Sequence, residues 1–340
     1  MRVLSVAYPQ FEVSADANGG AEQVLYLLER GIVNAGCGSL VVAAKGSRVS
    51  GQLIETPPQA GKEITETDRK EASRVHLERI QAVLARERID VIHFHGLDFP
   101  TYIPEFDGPK VVTVHLPASW YAGAPFDRSD LTFVCVSEAQ AKTFPGEQQP
   151  VLIPNGIDVD GFYYNGNARK YLLWLGRICP EKGVHIALRV AHKLDLPLVV
   201  AGPVHRFRSH QAYFAEEVQP LLDAKRKWVG TIGLKCKASL LAGAIALLHP
   251  SLAPETSSLV SMEAASSGTP VVAFRSGALP EIVEHGVTGF VVDSEGEMAE
   301  AVKRVHEISR DVCRKRAVER FSGDRMTRDY LDLYRGLLRA

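Results

Sequence analysis

The feature that most constrains the fold of this chain is a regular alternation of short apolar runs with amphipathic segments. A stripe of apolar residues at helical spacing between positions 21 and 32 predicts one amphipathic helix, and Asp68–Arg88 predicts another. Apolar strands that alternate with helices are typical of parallel sheets covered on both faces. The predicted strands of the first half are Arg2–Ala7, Leu40–Ala44, Val91–Phe94, Val111–His115, Thr132–Ser137 and Val151–Pro154.

The same alternation starts again after a stretch rich in Pro, Gly and Asn between Pro154 and Asn167, which lacks periodicity. The last predicted helix, Arg325–Leu338, has no strand after it and is free to pack back across the boundary. The predicted strands of the second half are Tyr171–Gly176, Leu198–Gly202, Trp228–Ile232, Ile245–Pro250, Pro270–Phe274 and Gly289–Asp293.

We therefore predict an α/β protein of two Rossmann-like domains, each a doubly wound parallel sheet, facing each other across a cleft. The expected boundaries are 1–156 for the first domain, 157–322 for the second, and 323–340 for a helix that packs back onto the first. A length of 340 residues fits two domains, each large enough to bury its own core.

Composition excludes several classes of protein. A hydrophobic fraction of 46% and a charged fraction of 23% are ordinary for globular chains and argue against disorder. A net charge of −1 argues against a nucleic-acid partner, which would require a basic face. Five scattered cysteines without a CxxC pair indicate a reducing compartment rather than a disulfide framework or a zinc motif. The longest apolar run, 240–248, is too short to cross a membrane, so we expect a soluble, cytoplasmic protein.

The loops that follow the strands are the expected ligand sites of a doubly wound sheet. Gly19 and Gly20 precede the first helix, where backbone N–H groups and the helix dipole suit an anion, although a flexible turn with an ordinary N-terminal cap is the more frequent explanation of such a loop. The dinucleotide fingerprint G-x-G-x-x-G is absent, which disfavours a dehydrogenase. In the second half, Arg177 and Lys182 suit a phosphate, unless Lys182 forms a surface ion pair with Glu181.

Two carboxylates in the second half are the strongest chemical signal. Glu263 lies in an apolar part of the predicted helix Ser257–Ser267, where a charge needs a partner and can accept hydrogen bonds from the vicinal hydroxyls of a ribose. Glu255 precedes that helix and suits sugar hydroxyls, while the backbone N–H groups of Ser257 and Ser258 suit a phosphate. The alternatives are a helix-terminal charge and a salt-bridged core residue; a hydrolase pair is less favoured because nothing fixes the separation of the two groups.

Histidines offer a further possibility. His93 and His95 alternate on a predicted strand and face the same way, and His115 ends the neighbouring strand. Three histidines can hold zinc, but no carboxylate or Cys spacing accompanies them, so we interpret His115 as a polar group lining the cleft. A solvated basic surface is expected for the loop that contains His205, Arg206, Arg208 and His210.

Taken together, motifs along nearly the whole chain resemble those of the family 4 retaining glycosyltransferases, which have the GT-B fold. The order and spacing of the motifs are far more specific than any one of them. They are Gly19-Gly20-Ala21-Glu22, Val112–His115, Ile153 through Asp158, Leu175-Gly176-Arg177, Glu181-Lys182-Gly183, the E-x7-E motif from Glu255 to Glu263, Gly268-Thr269-Pro270-Val271-Val272, Pro280-Glu281-Ile282-Val283, Gly286 and Gly289-Phe290-Val291-Val292.

The resemblance implies a role for each matched residue of the second half. Arg177 and Lys182 would neutralise the donor diphosphate, Glu263 would hold the ribose, and Glu255 would contact the donor sugar. The implied catalytic residues are His115, Arg177, Lys182 and Glu255. The implied donor-binding residues are Gly19, Gly20, Arg177, Lys182, Glu255, Ser257, Ser258, Leu259 and Glu263.

In the first half, the resemblance implies that the Gly19-Gly20 loop completes the phosphate cradle and that His115 lies beside the transferred sugar. It implies transfer of a sugar from a nucleoside-diphosphate sugar to an acceptor hydroxyl, with retention of configuration, by front-face attack. Charge stabilisation and positioning then account for most of the catalysis. Neither a metal nor a cofactor is expected besides the donor, which is a co-substrate.

Several features remain open in the sequence. The acceptor is a glycan, a lipid-linked sugar or a small molecule, and contact with a membrane is at most peripheral, at the inner face. The donor base and sugar are not specified. A nucleotide-sugar-binding protein without turnover and a nucleotide-sugar epimerase are the alternative functions.

Overall fold

The computed structural model describes residues 1–17, 19–58, 65–121, 123–167 and 170–339. The chain divides into two compact units, Met1–Gly156 together with Gly323–Ala340, and Ile157–Ser322. Each unit contains a parallel β-sheet with helices packed against it. No helix in the described part of the chain combines the length and apolar character needed to cross a bilayer.

The sheet of the first unit has seven strands in the described residues, all parallel, in the order β3-β2-β1-β4-β5-β6-β7. Its strands are β1 (Arg2–Val6), β2 (Gly38–Ala44), β3 (Gln52–Thr56), β4 (Val91–Phe94), β5 (Lys110–Val114), β6 (Leu131–Cys135) and β7 (Val151–Leu152). Its helices are α1 (Gly20–Asn34), α2 (Glu66–Leu84), α3 (Glu138–Ala141) and the last helix of the chain, α11 (Gly323–Leu337).

The sheet of the second unit has six strands in the described residues, again all parallel, in the order β10-β9-β8-β11-β12-β13. Its strands are β8 (Tyr171–Leu175), β9 (Leu198–Ala201), β10 (Arg226–Trp228), β11 (Ala244–His249), β12 (Val271–Phe274) and β13 (Gly289–Val292). Its helices are α4 (Val184–Lys193), α5 (Arg208–Tyr213), α6 (Leu234–Gly243), α7 (Leu259–Ser266), α8 (Leu279–Ile282), α9 (Glu295–Arg304) and α10 (Arg310–Phe321).

Continuous apolar strands are stable here because both faces of each sheet are buried. In β8, Leu172 and Trp174 pack into the core on one face, and Leu173 and Leu175 pack into the core on the other. Successive side chains of a strand point to opposite faces, so burial of both faces requires apolar residues at every position. The prediction of parallel, doubly covered sheets from these runs is confirmed.

The strand order reverses direction at one place in each sheet. In the first unit, β1 lies between β2 and β4, and in the second unit β8 lies between β9 and β11. In the first unit the connection after β1 therefore runs in the opposite direction from the connection after β4, and in the second unit the same holds for β8 and β11. Such a reversal opens a crevice at the carboxyl ends of the strands. The loops after β8 and β11 carry Arg177, Lys182 and Glu255.

The structure corrects several predicted boundaries. Strand β3 was missed because three of its five residues are polar and four are at least partly exposed, as expected for an edge strand. The strand expected at Trp228–Ile232 is instead β10, which ends at Trp228. Helix α7 begins at Leu259 because Ser258 has extended backbone and caps the helix with its side chain. His95 follows β4 rather than lying on it, although it remains buried.

Candidate functional site

The loop after β8 and the loop after β11 approach each other closely in the second unit. Gly183 has a φ of 63° and a Cβ at this position would collide with the backbone oxygen of Pro250. Glycine is therefore required both for the left-handed conformation and for the contact. The backbone oxygen of Glu181 accepts a hydrogen bond of 2.8 Å from the N–H of Leu252, which ties the two loops together.

Lys182, Glu255 and His249 form one connected group where these loops meet. The ammonium group of Lys182 lies 2.5 Å from Oε1 of Glu255, and Nε2 of His249 lies 3.2 Å from the same oxygen. The Glu255 side chain is only 11% exposed, whereas that of Lys182 is 24% exposed. The alternative of a surface pair between Lys182 and Glu181 is wrong, because Lys182 pairs with Glu255.

The environment keeps Glu255 ionised. Burial by itself raises the pKa of this carboxyl, but the hydrogen bond and charge of His249 and the charge of Lys182 outweigh burial and hold the pKa well below its usual range. Glu255 is thus a carboxylate that accepts hydrogen bonds, and it is a poor general acid at neutral pH. Its partner Lys182 is a cation that an incoming anion can share.

His249 links this group to the start of α7. Its Nδ1 lies 3.2 Å from Oγ of Ser261 and 3.4 Å from Oγ of Ser258. Oγ of Ser258 also accepts a hydrogen bond of 3.3 Å from the backbone N–H of Ser261 and so caps the helix. Ser257 precedes the cap, and its Oγ is buried with no hydrogen-bond partner among the described residues. Sequence reasoning missed His249, although a polar residue that ends the apolar strand Ala-Ile-Ala-Leu-Leu-His was the available signal.

Glu263 lies inside α7 and has a partner that the sequence did not identify. Nζ of Lys237, from α6, lies 2.6 Å from its Oε1, while Oε2 is buried and has no hydrogen-bond partner among the described residues. The Glu263 side chain is 4% exposed and that of Lys237 is 17% exposed. The expectation that this charge needs a partner is confirmed. One carboxylate oxygen is left as an unmet acceptor, which is costly unless a ligand satisfies it.

Arg177 and Leu259 complete the set that was predicted in the second unit. The Arg177 side chain is exposed on the loop after β8, five residues before Lys182. Leu259 is the first residue of α7 and is partly buried. Seven of the predicted donor-binding residues therefore lie in the second unit, on two adjacent loops and one helix: Arg177, Lys182, Glu255, Ser257, Ser258, Leu259 and Glu263.

In the first unit, Gly19 and Gly20 form the start of α1. Gly19 is the N-cap and has extended backbone, and a Cβ there would collide with the carboxylate of Glu22. Glu22 is 5% exposed, and burial raises its pKa. Glycine at this position leaves room for a buried carboxyl beneath the loop. Asn18, in the same loop, lies outside the described residues.

His115 follows β5 in the first unit and is held by other histidines and tyrosines. Its Nε2 lies 3.0 Å from Nδ1 of His95, and its backbone N–H donates to the hydroxyl of Tyr121 over 2.8 Å. His93 contacts Oγ1 of Thr113 and the hydroxyl of Tyr334, each over 2.7 Å. Both nitrogens of His93 and one of each of the other two rings are thus engaged within the protein, which disfavours the alternative of a three-histidine zinc site.

The two groups of predicted residues lie in different units. His115 and the Gly19-Gly20 loop belong to the first unit, and the charged residues belong to the second. Burial lowers the pKa of His115 to about 4, so the imidazole is neutral at pH 7. Lys237 and His249 are the additional polar residues that only the tertiary structure connects to the predicted carboxylates.

Comparison with known families identifies the family to which the chain belongs. Residues 18–160 match the model "Glycosyltransferase Family 4", and residues 169–307 match the model "Glycosyl transferases group 1". The chain belongs to the family 4 glycosyltransferases. This glycosyltransferase is 26% identical over 269 residues to the phosphatidyl-myo-inositol mannosyltransferase of Mycobacterium leprae, covering 71% of this chain and 70% of the relative. It is 28% identical over 210 residues to the alpha-maltose-1-phosphate synthase of Mycolicibacterium smegmatis, and the match covers 56% of this chain and 52% of that relative.

Solved structures show the same fold. The sucrose-phosphate synthase of Thermosynechococcus elongatus superimposes with a TM-score of 0.81 at 20% identity, and the match covers 100% of both chains. The Anabaena protein HepE, solved with UDP-glucose, superimposes with a TM-score of 0.74 at 18% identity, covering 99% of this chain and 100% of that one. The glycosyltransferase has the GT-B fold, as the resemblance implied.

Proposed function

We propose that this protein is a retaining glycosyltransferase that moves a sugar from a nucleoside-diphosphate sugar to an acceptor hydroxyl. The observation that carries the proposal is the group formed by Lys182, Glu255 and His249 at the reversal point of the second sheet. A cation shared with a buried carboxylate suits a ligand that brings both phosphate and hydroxyl groups. The UDP-glucose bound by HepE supports a donor of this class.

The proposed donor contacts follow from the chemistry of each side chain. Lys182 and the exposed Arg177 neutralise the diphosphate. Negative charge builds up on the leaving phosphate as its bond to the sugar breaks, so these two cations stabilise the transition state more than the bound donor. The backbone N–H groups of Ser257 and Ser258 and the first turn of α7, at Leu259, add dipoles that favour an anion. Glu255 accepts hydrogen bonds from the donor sugar.

Glu263 is proposed to bind the ribose. Its buried Oε2 lacks a partner among the described residues, and Lys237 pairs with its Oε1. A ribose hydroxyl that donates to Oε2 satisfies an acceptor which the protein leaves unmet. The Gly19-Gly20 loop of the first unit is proposed to add backbone N–H groups to the phosphate cradle.

His115 is proposed to lie beside the transferred sugar as a neutral hydrogen-bond donor. Nε2 of His95 is buried with no partner among the described residues. Burying an unpaired N–H is costlier than burying an unprotonated nitrogen, so we infer that His95 carries its proton on Nδ1 and donates to Nε2 of His115. His115 then carries its proton on Nδ1, where it donates and cannot act as a base.

Retention follows in this proposal from attack on the same face as the departing diphosphate. The acceptor hydroxyl is the nucleophile and loses its proton to the leaving phosphate oxygen, which the cations hold in place, so the protein supplies no separate general base. We propose that the reaction is metal-independent. We further propose that the protein acts in the cytoplasm, at most peripherally at the inner face of the membrane, on a glycan, a lipid-linked sugar or a small molecule.

The test is ligand-induced thermal stabilisation with UDP-, GDP- and ADP-sugars, followed by detection of nucleoside diphosphate released with each stabilising donor and a panel of acceptors. We expect one base to raise Tm, because a ligand that binds only the native state stabilises it. Release that depends on acceptor, with an α-configured product from an α-configured donor, supports transfer with retention.

Other outcomes contradict the proposal. Stabilisation without release for any acceptor indicates a binding protein, and interconversion of the donor sugar without acceptor indicates an epimerase. Lys182→Met and Glu263→Gln are expected to lose donor binding. Lys235→Met, an exposed lysine on the same helix as Lys237, is the matched control and is expected to behave as wild type.

A further inference from the structure

A second group of reactive side chains lies next to the loop after β8. The side chains of Cys179, Glu181 and His210 each offer an atom that can bind a metal ion, and these sulfur, oxygen and nitrogen atoms all lie within 4.8 Å of one another. Cys179 and Glu181 come from the turn after β8, and His210 comes from α5. They are the only such group among the residues that the structure describes.

The expectation that His210 belongs to a solvated basic surface is wrong. Its side chain is 9% exposed, and its Nδ1 is buried with no hydrogen-bond partner among the described residues. His205 and Phe207 pack near its ring, with ring centroids at 6.2 and 5.2 Å. A buried ring nitrogen without a partner costs free energy, which an ion or a water that binds to it would recover.

Cys179 adds a second buried donor atom. Its side chain is fully buried, and Sγ contacts the backbone oxygen of Arg177 at 3.5 Å. Glu181 is partly exposed, so the group can be reached from solvent. A buried thiol, a buried imidazole and an accessible carboxylate match the sulfur, nitrogen and oxygen ligands that zinc prefers.

We propose that Cys179, Glu181 and His210 bind one Zn²⁺ ion. Three protein ligands leave a fourth position for water, as in open zinc sites. Binding replaces the thiol proton of Cys179 by the metal and releases that proton to solvent. The thiolate and the carboxylate together balance the two positive charges of the ion, which matters because Arg177 and Lys182 are cations on the same loop.

The expected consequence is a more rigid loop after β8. The backbone oxygen of Glu181 already accepts hydrogen bonds from the N–H of Leu252 and, over 3.3 Å, from Oγ of Ser251. An ion that binds Cys179 and Glu181 fixes the turn from its other side and joins it to α5. The ion takes no part in the proposed sugar transfer, and the site is expected to bind zinc whether or not the protein transfers a sugar.

The experiment measures zinc binding on the full chain after removal of any purification tag. Zn²⁺ is titrated in competition with a chromophoric chelator, and Co²⁺ is substituted to detect a thiolate-to-metal charge-transfer band. We expect one equivalent of tightly bound Zn²⁺, the cobalt band, and a rise in Tm with zinc. Cys179→Ser and His210→Gln are each expected to weaken binding by about 100-fold or more and to abolish the Tm shift.

Two comparisons keep the result interpretable. Glu181→Gln alters a partly exposed side chain, so it is expected to fold normally and still to weaken zinc binding. Cys236→Ser removes an exposed cysteine on α6 and is expected to bind zinc as wild type does. Absence of stoichiometric binding, or equal loss in Cys236→Ser and Cys179→Ser, overturns the proposal.

Discussion

At the scale of the residue, the buried carboxylates Glu255 and Glu263 of the second unit each have a specific charged partner. Glu255 shares one oxygen between Lys182 and His249, and Glu263 pairs through one oxygen with Lys237. Burying one charge without its partner is strongly destabilising, whereas a paired charge is tolerated. Substitutions here therefore affect both ligand binding and folding, and the two effects have to be separated.

The pair of Lys237 and Glu263 allows that separation. We expect Lys237→Met to lower the free energy of unfolding by about 3 kcal/mol, because it leaves Glu263 buried without a counter-charge. The double variant Lys237→Met with Glu263→Gln is expected to recover most of that stability but not donor binding. Urea unfolding and donor titration measure the two effects. A double variant as unstable as the single one would show that the pair is not coupled.

The tautomer of His115 gives a second prediction at this scale. His115→Asn keeps a hydrogen-bond donor, and we expect it to retain about 10-fold more kcat/KM than His115→Leu, which has none. His95→Leu is expected to lower kcat/KM through loss of positioning, with little further loss in the double variant with His115→Leu. Equal inactivity of His115→Asn and His115→Leu, with an acid limb in the wild type near the lowered pKa of about 4, would instead indicate a base.

At the scale of the element, the short helix α7 connects the capping serine to the site. Ser258 caps α7 and its Oγ also lies 3.4 Å from His249, which contacts Glu255. Ser294 caps α9 in the same way, with Oγ accepting a hydrogen bond of 3.2 Å from the N–H of Glu297. The two serines thus have the same role in their helices but different neighbours.

Substitution of the two caps separates helix stability from function. Ser258→Ala and Ser294→Ala are each expected to lower the free energy of unfolding by about 1 kcal/mol, the usual value of an N-cap. Only Ser258→Ala is expected to lower kcat/KM, because of the two capping serines only Ser258 contacts the His249 side chain. Denaturant unfolding and steady-state kinetics check the two effects, and a similar fall in kcat/KM for Ser294→Ala would contradict the assignment.

At the scale of the whole molecule, the first unit holds its last helix through buried polar groups. The hydroxyl of Tyr330 lies 2.7 Å from Oγ1 of Thr113, and that of Tyr334 contacts His93. Burial lowers the pKa of His93 well below its usual value, and lowers that of His76 to about 4. Among the described residues, the histidines whose pKa burial lowers most lie in the first unit, whereas the buried Glu255, a carboxyl with a lowered pKa, lies in the second.

This difference predicts that the first unit unfolds at a higher pH than the second when the solution is acidified. Above pH 6.5, histidines with a lowered pKa are neutral in both the folded and the unfolded chain and do not affect the free energy of unfolding. As the pH falls from 6.5 to about 4, the unfolded chain binds protons that the folded chain does not, so the free energy of unfolding decreases by ~3 kcal/mol for each of His76 and His115. Glu255, whose pKa is also lowered, keeps its contribution until the pH falls below that of an ordinary carboxyl.

Hydrogen exchange followed by mass spectrometry checks this prediction, because it resolves the two units. Between pH 7 and pH 5 we expect the first unit to lose protection while the second stays protected. His115→Gln is expected to reduce the loss in the first unit, and His306→Gln, which changes an exposed histidine of the second unit, is expected to have no effect. Simultaneous loss of protection in both units would contradict the prediction.

The sequence by itself determined the class of fold and the identity of the charged residues. Apolar runs of strand length can be stable only when both faces of a sheet are covered, so the parallel α/β architecture followed from local pattern. The edge strand β3 was not predicted, because its side chains are partly solvated and its mixture of polar and apolar residues resembles that of a loop. Glu263 was identifiable because a charge in an apolar helix requires a partner.

Only the tertiary structure decided which partners those residues have. Lys237 lies 26 residues before Glu263, and nothing in the sequence distinguishes it from the exposed Lys235 two residues away. His210 was expected to be solvated, but the packing of α5 buries it beside Cys179. The apolar pattern along the chain indicates which side chains are buried. Which side chains pair with each other depends on how separate strands and helices pack together, and local spacing in the sequence does not contain that information.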